Sequence, residues 1–168
     1  SVIGMDINLV RDRIRGEQGT KVTLTVVRGG VPYDISMTRS YIETPVATGK
    51  LLEGNIGLVT IENFDARCAQ ETIAAIETLL GQGADKLIFD VRYNPGGYKH
   101  ELVEILDYLL PKGVLLRSEY YDGRVSTDNS DAKCLDIPMA VLVNGGSYSA
   151  AEFFAAALWE YEAAVVVG

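Results

Sequence analysis

Residues 4–16, GMDINLVRDRIRG, place Ile7, Val10 and Ile14 at helical spacing, which predicts a helix with one apolar face and Gly16 at its end. TKVTLTVVR (20–28) switches to period two, with Val22, Leu24 and Val26 alternating against threonines, and this predicts a strand. Gly29-Gly30 turns the chain into VPYDISMTR (31–39). Together these read as the last helix and hairpin of a small α+β module whose beginning is missing. YIETPVATGKLLEG (41–54), with one Pro and two Gly, reads as a linker.

From residue 55 the pattern changes. NIGLVTIENF (55–64) predicts a strand, and Asp65 can cap a helix running to Leu80, with Cys68, Thr72, Ile73, Ile76, Leu79 and Leu80 inward and Gly81 ending it. KLIFDVR (86–92) and PMAVLVN (138–144) are short apolar runs, expected as buried strands. Between them lie the breaker NPGG (94–97), a helix over about 99–110 stopped by Pro111, a strand VLLRSEYY (114–121) and a turn at Asp122-Gly123. A helix from about Ala150 to Tyr161 and a strand AAVVVG (163–168) complete the chain. Strands alternating with helices imply a mostly parallel sheet joined by right-handed crossovers.

Composition narrows the function classes. With 168 residues, 48% hydrophobic, the chain can bury one good core, or one domain plus part of another. Its 15 basic residues against 23 acidic ones give a net charge of −8 with no basic run, so nucleic-acid binding is not expected. No apolar run approaches the roughly 20 residues of a membrane span, and no signal peptide is visible. Cys68 and Cys134 lack any short spacing and are expected as buried free thiols. A single histidine, His100, removes most histidine-based metal sites, and neither a metal nor a cofactor is expected.

In parallel α/β sheets, ligands bind beyond the carboxyl ends of the strands. Two strands here end in glycine-bearing loops that lead into helices, DVRYNPGG (90–97) and VNGGSYSAAE (143–152). If the strands are neighbours, both loops and both helix N-termini meet in one crevice, where free N–H groups can hold a developing anion. Neither a dinucleotide fingerprint nor a phosphate loop is present, and Ser149 lacks the G-x-S-x-G context of a nucleophile elbow. Ser149-x-x-Glu152 has the spacing of a helix capping box, and capping and nucleophilic roles for Ser149 both stand at this point.

Four segments, taken in order, resemble the carboxyl-terminal processing peptidases, also called tail-specific proteases: GMDINLVRDRIRGEQGTKVTLTVVR (4–28), IGLVTIENF (56–64), LIFDVRYNPGG (87–97) and VLVNGGSYSAAEFFAAAL (141–158). The resemblance implies a ClpP/crotonase-like α/β protease core over 55–168, preceded by the C-terminal half of a PDZ domain over 1–40 and a linker over 41–54. It implies Ser149 as nucleophile, because the family serine stands three positions before the motif Glu. It also implies the backbone N–H of Ala150 in the oxyanion hole, with Gly96 or Gly97 supplying a second donor, and an auxiliary acidic residue late in the next helix, at Glu160. The family base is a lysine in a Gly-Lys-Gly turn following a strand like AAVVVG. The base is therefore expected beyond Gly168, and residues 1–168 alone are expected to be inactive.

The function implied is a bacterial serine-type endopeptidase cleaving proteins near their C-termini with a Ser/Lys dyad. Its partners are protein or peptide substrates recognised at the C-terminus, and a homo-oligomer is compatible. The parent is expected to be exported or membrane-anchored, in the periplasm or cell envelope, with this piece soluble. Two alternatives stand beside it: a non-catalytic peptide-binding relative of the same fold, and an α/β acyl hydrolase using His100. Lys99 and His100 follow the glycine loop closely but are expected on the surface.

Overall fold

The computed structural model describes residues 2–131 and 133–168. Contacts divide the chain into two compact units, with the boundary after Thr44. Among the described residues no helix is long and apolar enough to cross a membrane.

The first unit holds α1 (Ile7–Ile14), β1 (Lys21–Arg28) and β2 (Val31–Thr38), matching the expected helix and hairpin. Asp6 starts α1 by accepting the Asn8 N–H at 2.9 Å. Gly29 and Gly30 both take positive φ (+59° and +80°), the combination a two-residue hairpin turn demands, and β1 and β2 pair antiparallel from Lys21↔Thr38 to Arg28↔Val31. Arg39 ties helix to hairpin by donating to the Ile14 carbonyl (2.7 Å), Thr20 Oγ1 (2.8 Å) and the Lys21 carbonyl (3.1 Å). Gly16 passes alongside that guanidinium, where a Cβ would stand 3.0 Å from Cζ; Arg15, not Gly16, is the capping residue of α1.

The second unit is a five-stranded sheet of order β3-β4-β5-β8-β9, formed by Ala47–Leu52, Ile56–Ile61, Lys86–Asp90, Met139–Leu142 and Ala164–Val167. Strands β4, β5, β8 and β9 run parallel; β3 is antiparallel to β4. Strand β3 lies inside the stretch expected as a linker. Its Gly49 faces helix α2 (Cys68–Gly81): a Cβ there would meet Leu79 Cδ1 at 3.1 Å and Ala75 Cβ at 3.2 Å. The glycine that suggested flexibility is thus a close helix–sheet contact. Gly57 on β4 meets the same Leu79, at 3.1 Å from Cδ1.

Each crossover, β4–α2–β5, β5–α3–β8 and β8–α4–β9, steps in the same direction across the sheet, so a common hand puts α2, α3 (Lys99–Leu109) and α4 (Ala150–Glu160) on one face. That face supplies the core: Val59, Ile61, Leu87, Phe89 and Val141 from the strands, Ile76, Leu79, Leu102, Ile105, Leu106, Phe154 and Leu158 from the helices. The alternate positions Leu58, Ile88, Ala140 and Leu142 are half-buried, so the sheet is fully covered on the helix-bearing face and half-covered on the other. A hairpin of β6 (Gly113–Glu119) and β7 (Val125–Ser130) projects between α3 and β8 in sequence, turning at Gly123 with φ +80°.

The expected Asp65 cap on α2 is replaced by a carboxylate from another helix. Glu101, 7% exposed, accepts the N–H of Arg67 on Oε1 (3.0 Å) and of Ala69 on Oε2 (2.7 Å). It serves two orphan donors of a helix start at once and locks α2 to α3. Glu101→Ala is expected to lower stability by about 2 kcal/mol, since the buried Ala69 N–H and the part-buried Arg67 N–H both lose this acceptor. Glu101→Gln, which keeps one acceptor oxygen, should cost less. Urea unfolding of the two variants measures this, and an unchanged midpoint in Glu101→Ala would refute the capping role.

Candidate active site

The register Leu87↔Met139 to Asp90↔Leu142 brings the carboxyl ends of β5 and β8 side by side, so their two glycine-bearing loops leave the sheet together. The β5 loop is organised from its first residue. Asp90 Oδ1 accepts the Arg92 N–H (3.1 Å) and Nε (2.9 Å), and Oδ2 accepts Nη2 (2.6 Å). This hydrogen bonding from Arg92 holds the Asp90 carboxyl below the usual carboxylate range. Further on, Asn94 is fully buried; its Nδ2 donates to the Ile61 carbonyl at the end of β4 (2.7 Å), and its Oδ1 accepts the Gly96 N–H (2.8 Å). Gly96 and Gly97 then take φ of +95° and +152°. The Phe64 N–H donates to the Gly96 carbonyl (2.8 Å) and the Tyr98 N–H to the Phe64 carbonyl (2.7 Å). A parallel bridge of this kind leaves the N–H of its central residue, Gly97, on the edge away from Phe64.

The β8 loop is held against it. Asn144 Oδ1 accepts the Tyr93 N–H across the crevice (3.0 Å) and the Gly146 N–H in its own loop (2.9 Å). Ser147 is buried, with its hydroxyl donating to the Val91 carbonyl (2.7 Å) and accepting the Asn144 N–H (3.1 Å). The Tyr148 N–H donates to the Asn94 carbonyl at 2.9 Å. Ser149 follows, exposed, at φ +52° and ψ −116°, a backbone region that costs a non-glycine residue on the order of 1–3 kcal/mol. It stands at a sharp strand-to-helix turn, the geometry of a nucleophile elbow reached without that motif's glycines.

Three contacts hold Ser149 in this conformation. Glu152 Oε2 accepts its N–H at 2.6 Å, and its carbonyl accepts the N–H groups of Glu152 (3.0 Å) and Phe153 (3.1 Å). Below the turn, Phe154 packs edge-on to Phe89 (ring centroids 5.3 Å apart) and tilted against Phe64 (5.9 Å), joining α4 to β5 and to the segment that follows β4. Gly96 lies so close that a Cβ would stand 2.7 Å from Ser149 Cβ and 3.0 Å from Ala150 N.

Ser149, Ala150, Gly96 and Gly97 therefore come together at one place, where neither Ala150 N–H nor Gly97 N–H has a hydrogen-bond partner among the described residues. Glu160 does not join them: it ends α4, about 16 Å along the axis from Ser149 at 1.5 Å per residue, and is exposed. Ser147 is separated from Ser149 by burial and by both of its hydrogen bonds. Lys99 is committed elsewhere, with Nζ 2.6 Å from Asp128 Oδ2 and 3.2 Å from Ser118 Oγ. The Asp128 carboxylate at this distance raises its pKa, whereas a lysine acting as a base needs the opposite shift. His100 is exposed, stacked on Tyr98 (5.4 Å) and 3.6 Å from Glu101 Oε1, at the start of α3.

Of the two cysteines, Cys68 is buried as expected, and burial pushes its thiol up to about 12; Cys134 is exposed, because it sits in the irregular stretch after β7. Among the described residues no three His, Cys, Asp or Glu side chains stand close enough to hold a metal ion. The sequence does not single out Asn94 or Asn144, although Asn94 is the asparagine of DVRYNPGG; an asparagine before glycines reads equally well as an ordinary turn residue.

The site is thus a strained serine at a helix start in a parallel α/β layer, facing a glycine loop. The chain belongs to peptidase family S41, whose family model matches residues 55–168. It is 35% identical over 171 residues to the carboxy-terminal processing protease CtpA of Bacillus subtilis, covering 100% of this chain and 37% of that protein. It is 34% identical over 179 residues to a carboxy-terminal-processing protease of Bartonella bacilliformis, covering 99% of this chain and 40% of that one. Among solved structures, a photosystem II D1 C-terminal processing protease aligns with a TM-score of 0.64 at 25% identity, over 99% of this chain and 48% of its own. The chain spans somewhat more than a third of the curated relatives' length.

Proposed function

We propose that the full-length protein is a serine endopeptidase cleaving polypeptides near their C-termini. Ser149 Oγ attacks the scissile carbonyl carbon, its proton passes to a base, and the carbonyl oxygen becomes an oxyanion. The Ala150 and Gly97 N–H groups receive that oxyanion; Gly97 is favoured over Gly96 because Asn94 already occupies the Gly96 N–H. Collapse of the adduct releases the amine, which takes up the proton, and leaves an acyl-serine for water to hydrolyse. As the family resemblance implies, a lysine outside residues 1–168 serves as base; Lys99 is held in an ion pair that favours its charged form.

The observation that carries the reading is the exposed, positive-φ Ser149 packed against Gly96, with the Ala150 and Gly97 N–H groups, next in the chain to Ser149 and Gly96, lacking hydrogen-bond partners among the described residues. In this reading the first unit is the C-terminal part of a PDZ-like module that captures substrate carboxyl termini, and the parent works outside the cytoplasm. The test is covalent: a fluorophosphonate applied to the full-length protein should leave one adduct, located by mass spectrometry on Ser149. An adduct on Ser147, or none in protein that binds C-terminal peptides, would overturn the assignment.

A further inference from the structure

We propose that Asn94 is a positioning residue for the reaction: by holding three separate segments on one side chain and its own carbonyl, it sets the spacing between the Gly97 donor and Ser149. The inference rests on the reading of Ser149 as nucleophile. Asn94 is fully buried, and every polar group of the residue is used. Its N–H donates to the Val91 carbonyl (3.3 Å), Nδ2 to the Ile61 carbonyl at the end of β4 (2.7 Å), Oδ1 accepts the Gly96 N–H (2.8 Å), and its carbonyl accepts the N–H of Tyr148 (2.9 Å), the residue before Ser149. One planar amide therefore fixes the glycine loop to β4, while the adjoining peptide fixes the nucleophile's loop to the glycine loop.

The requirement is specific. The site needs a donor and an acceptor on one short head group. Aspartate would turn a second oxygen toward the Ile61 carbonyl, and alanine would leave both Ile61 O and Gly96 N–H unpaired in a dry site. With Gly96 N–H released, the loop has lost the bond that keeps that N–H out of the crevice and leaves Gly97 as the donor. Asn94 touches no substrate in this arrangement. Its effect is to align a donor whose value lies in the transition state, where misplacement costs most.

The experiment uses the full-length protein and a peptide substrate with a free carboxyl terminus. Asn94→Ala is expected to lower kcat by on the order of 10²-fold, the scale of losing one oxyanion donor, with KM changed by less than about threefold. Affinity for a peptide boronic acid, which forms a tetrahedral adduct on the serine, should fall in parallel with kcat/KM, while affinity for the cleaved product peptide stays. Asn94→Asp keeps the acceptor for Gly96 and should lose less; it is read by the same criteria if Asn94→Ala does not fold. A kcat within about threefold of the parent, or loss of product binding in proportion to kcat, overturns the inference. Ser149→Ala is run alongside. Activity surviving in Ser149→Ala overturns the nucleophile and this inference together, whereas activity lost in Ser149→Ala but kept in Asn94→Ala overturns this inference alone.

Discussion

Ser149→Ala in the full-length protein is expected to lose peptide hydrolysis by on the order of 10⁴-fold or more, with folding stability changed by no more than about 1 kcal/mol. The two halves of this expectation come from different atoms. Removing the hydroxyl takes away the Ser149 side-chain half of the capping box with Glu152, whereas Glu152 Oε2 on the Ser149 N–H and the Ser149 carbonyl on the first turn of α4 do not involve the hydroxyl and persist. Ser147→Ala should behave in the opposite way. Its hydroxyl bridges the Val91 carbonyl and the Asn144 N–H, so its loss leaves the Asn144 N–H unpaired and the Val91 carbonyl with the Asn94 N–H alone, and costs about 1–3 kcal/mol, with a smaller effect on turnover in protein that remains folded. Steady-state kinetics and thermal unfolding of both variants decide the matter. An active Ser149→Ala, or a Ser147→Ala that is inert while fully folded, would contradict it.

The second large effect is expected at Gly96. Its φ of +95° already disfavours any side chain, and an alanine Cβ would lie 2.7 Å from Ser149 Cβ, 2.9 Å from the Tyr148 carbonyl oxygen and 3.0 Å from Ala150 N. None of those atoms is the far end of a flexible side chain, so the two loops must separate. Gly96→Ala is therefore expected to reduce kcat by 10²-fold to 10³-fold, the order found when an oxyanion donor is lost, alongside a stability loss of about 2 kcal/mol. Gly97→Ala meets the Phe64 backbone instead and should act first on folding, by breaking the bridge that extends β4. Measuring kcat and the unfolding midpoint for both glycines separates the roles; equal kcat losses with equal stability losses would remove the distinction between them.

The parallel strands and crossover helices were legible because apolar runs of four to seven residues, bounded by glycine and proline, are too short for a buried helix and suit a buried strand. What escaped has physical reasons. Strand β7, VSTDNS, is polar and half exposed, so it carries no period-two apolar signal and is recruited by pairing with β6. Strand β3 was hidden by Gly49, whose lack of a side chain serves the packing of Leu79 and Ala75. The cap on α2 comes from Glu101, more than thirty residues away in the chain, and no local rule anticipates a partner at that distance. The site was legible as two motifs. The choice between the glycines was not, because it depends on whether one N–H is already bonded, and that is settled by where the Asn94 side chain lies.

The backbone at Ser149 has a consequence for how such a site persists. Its φ of +52° and ψ of −116° fall in a region that glycine enters at little cost. Selection for folding alone would drift this position toward glycine, relieving the backbone strain while removing the exposed hydroxyl. The buried Asn94 of the facing loop, whose carbonyl holds the Tyr148 N–H, and the tight Glu152 contact offset that pull and keep a non-glycine residue in this conformation.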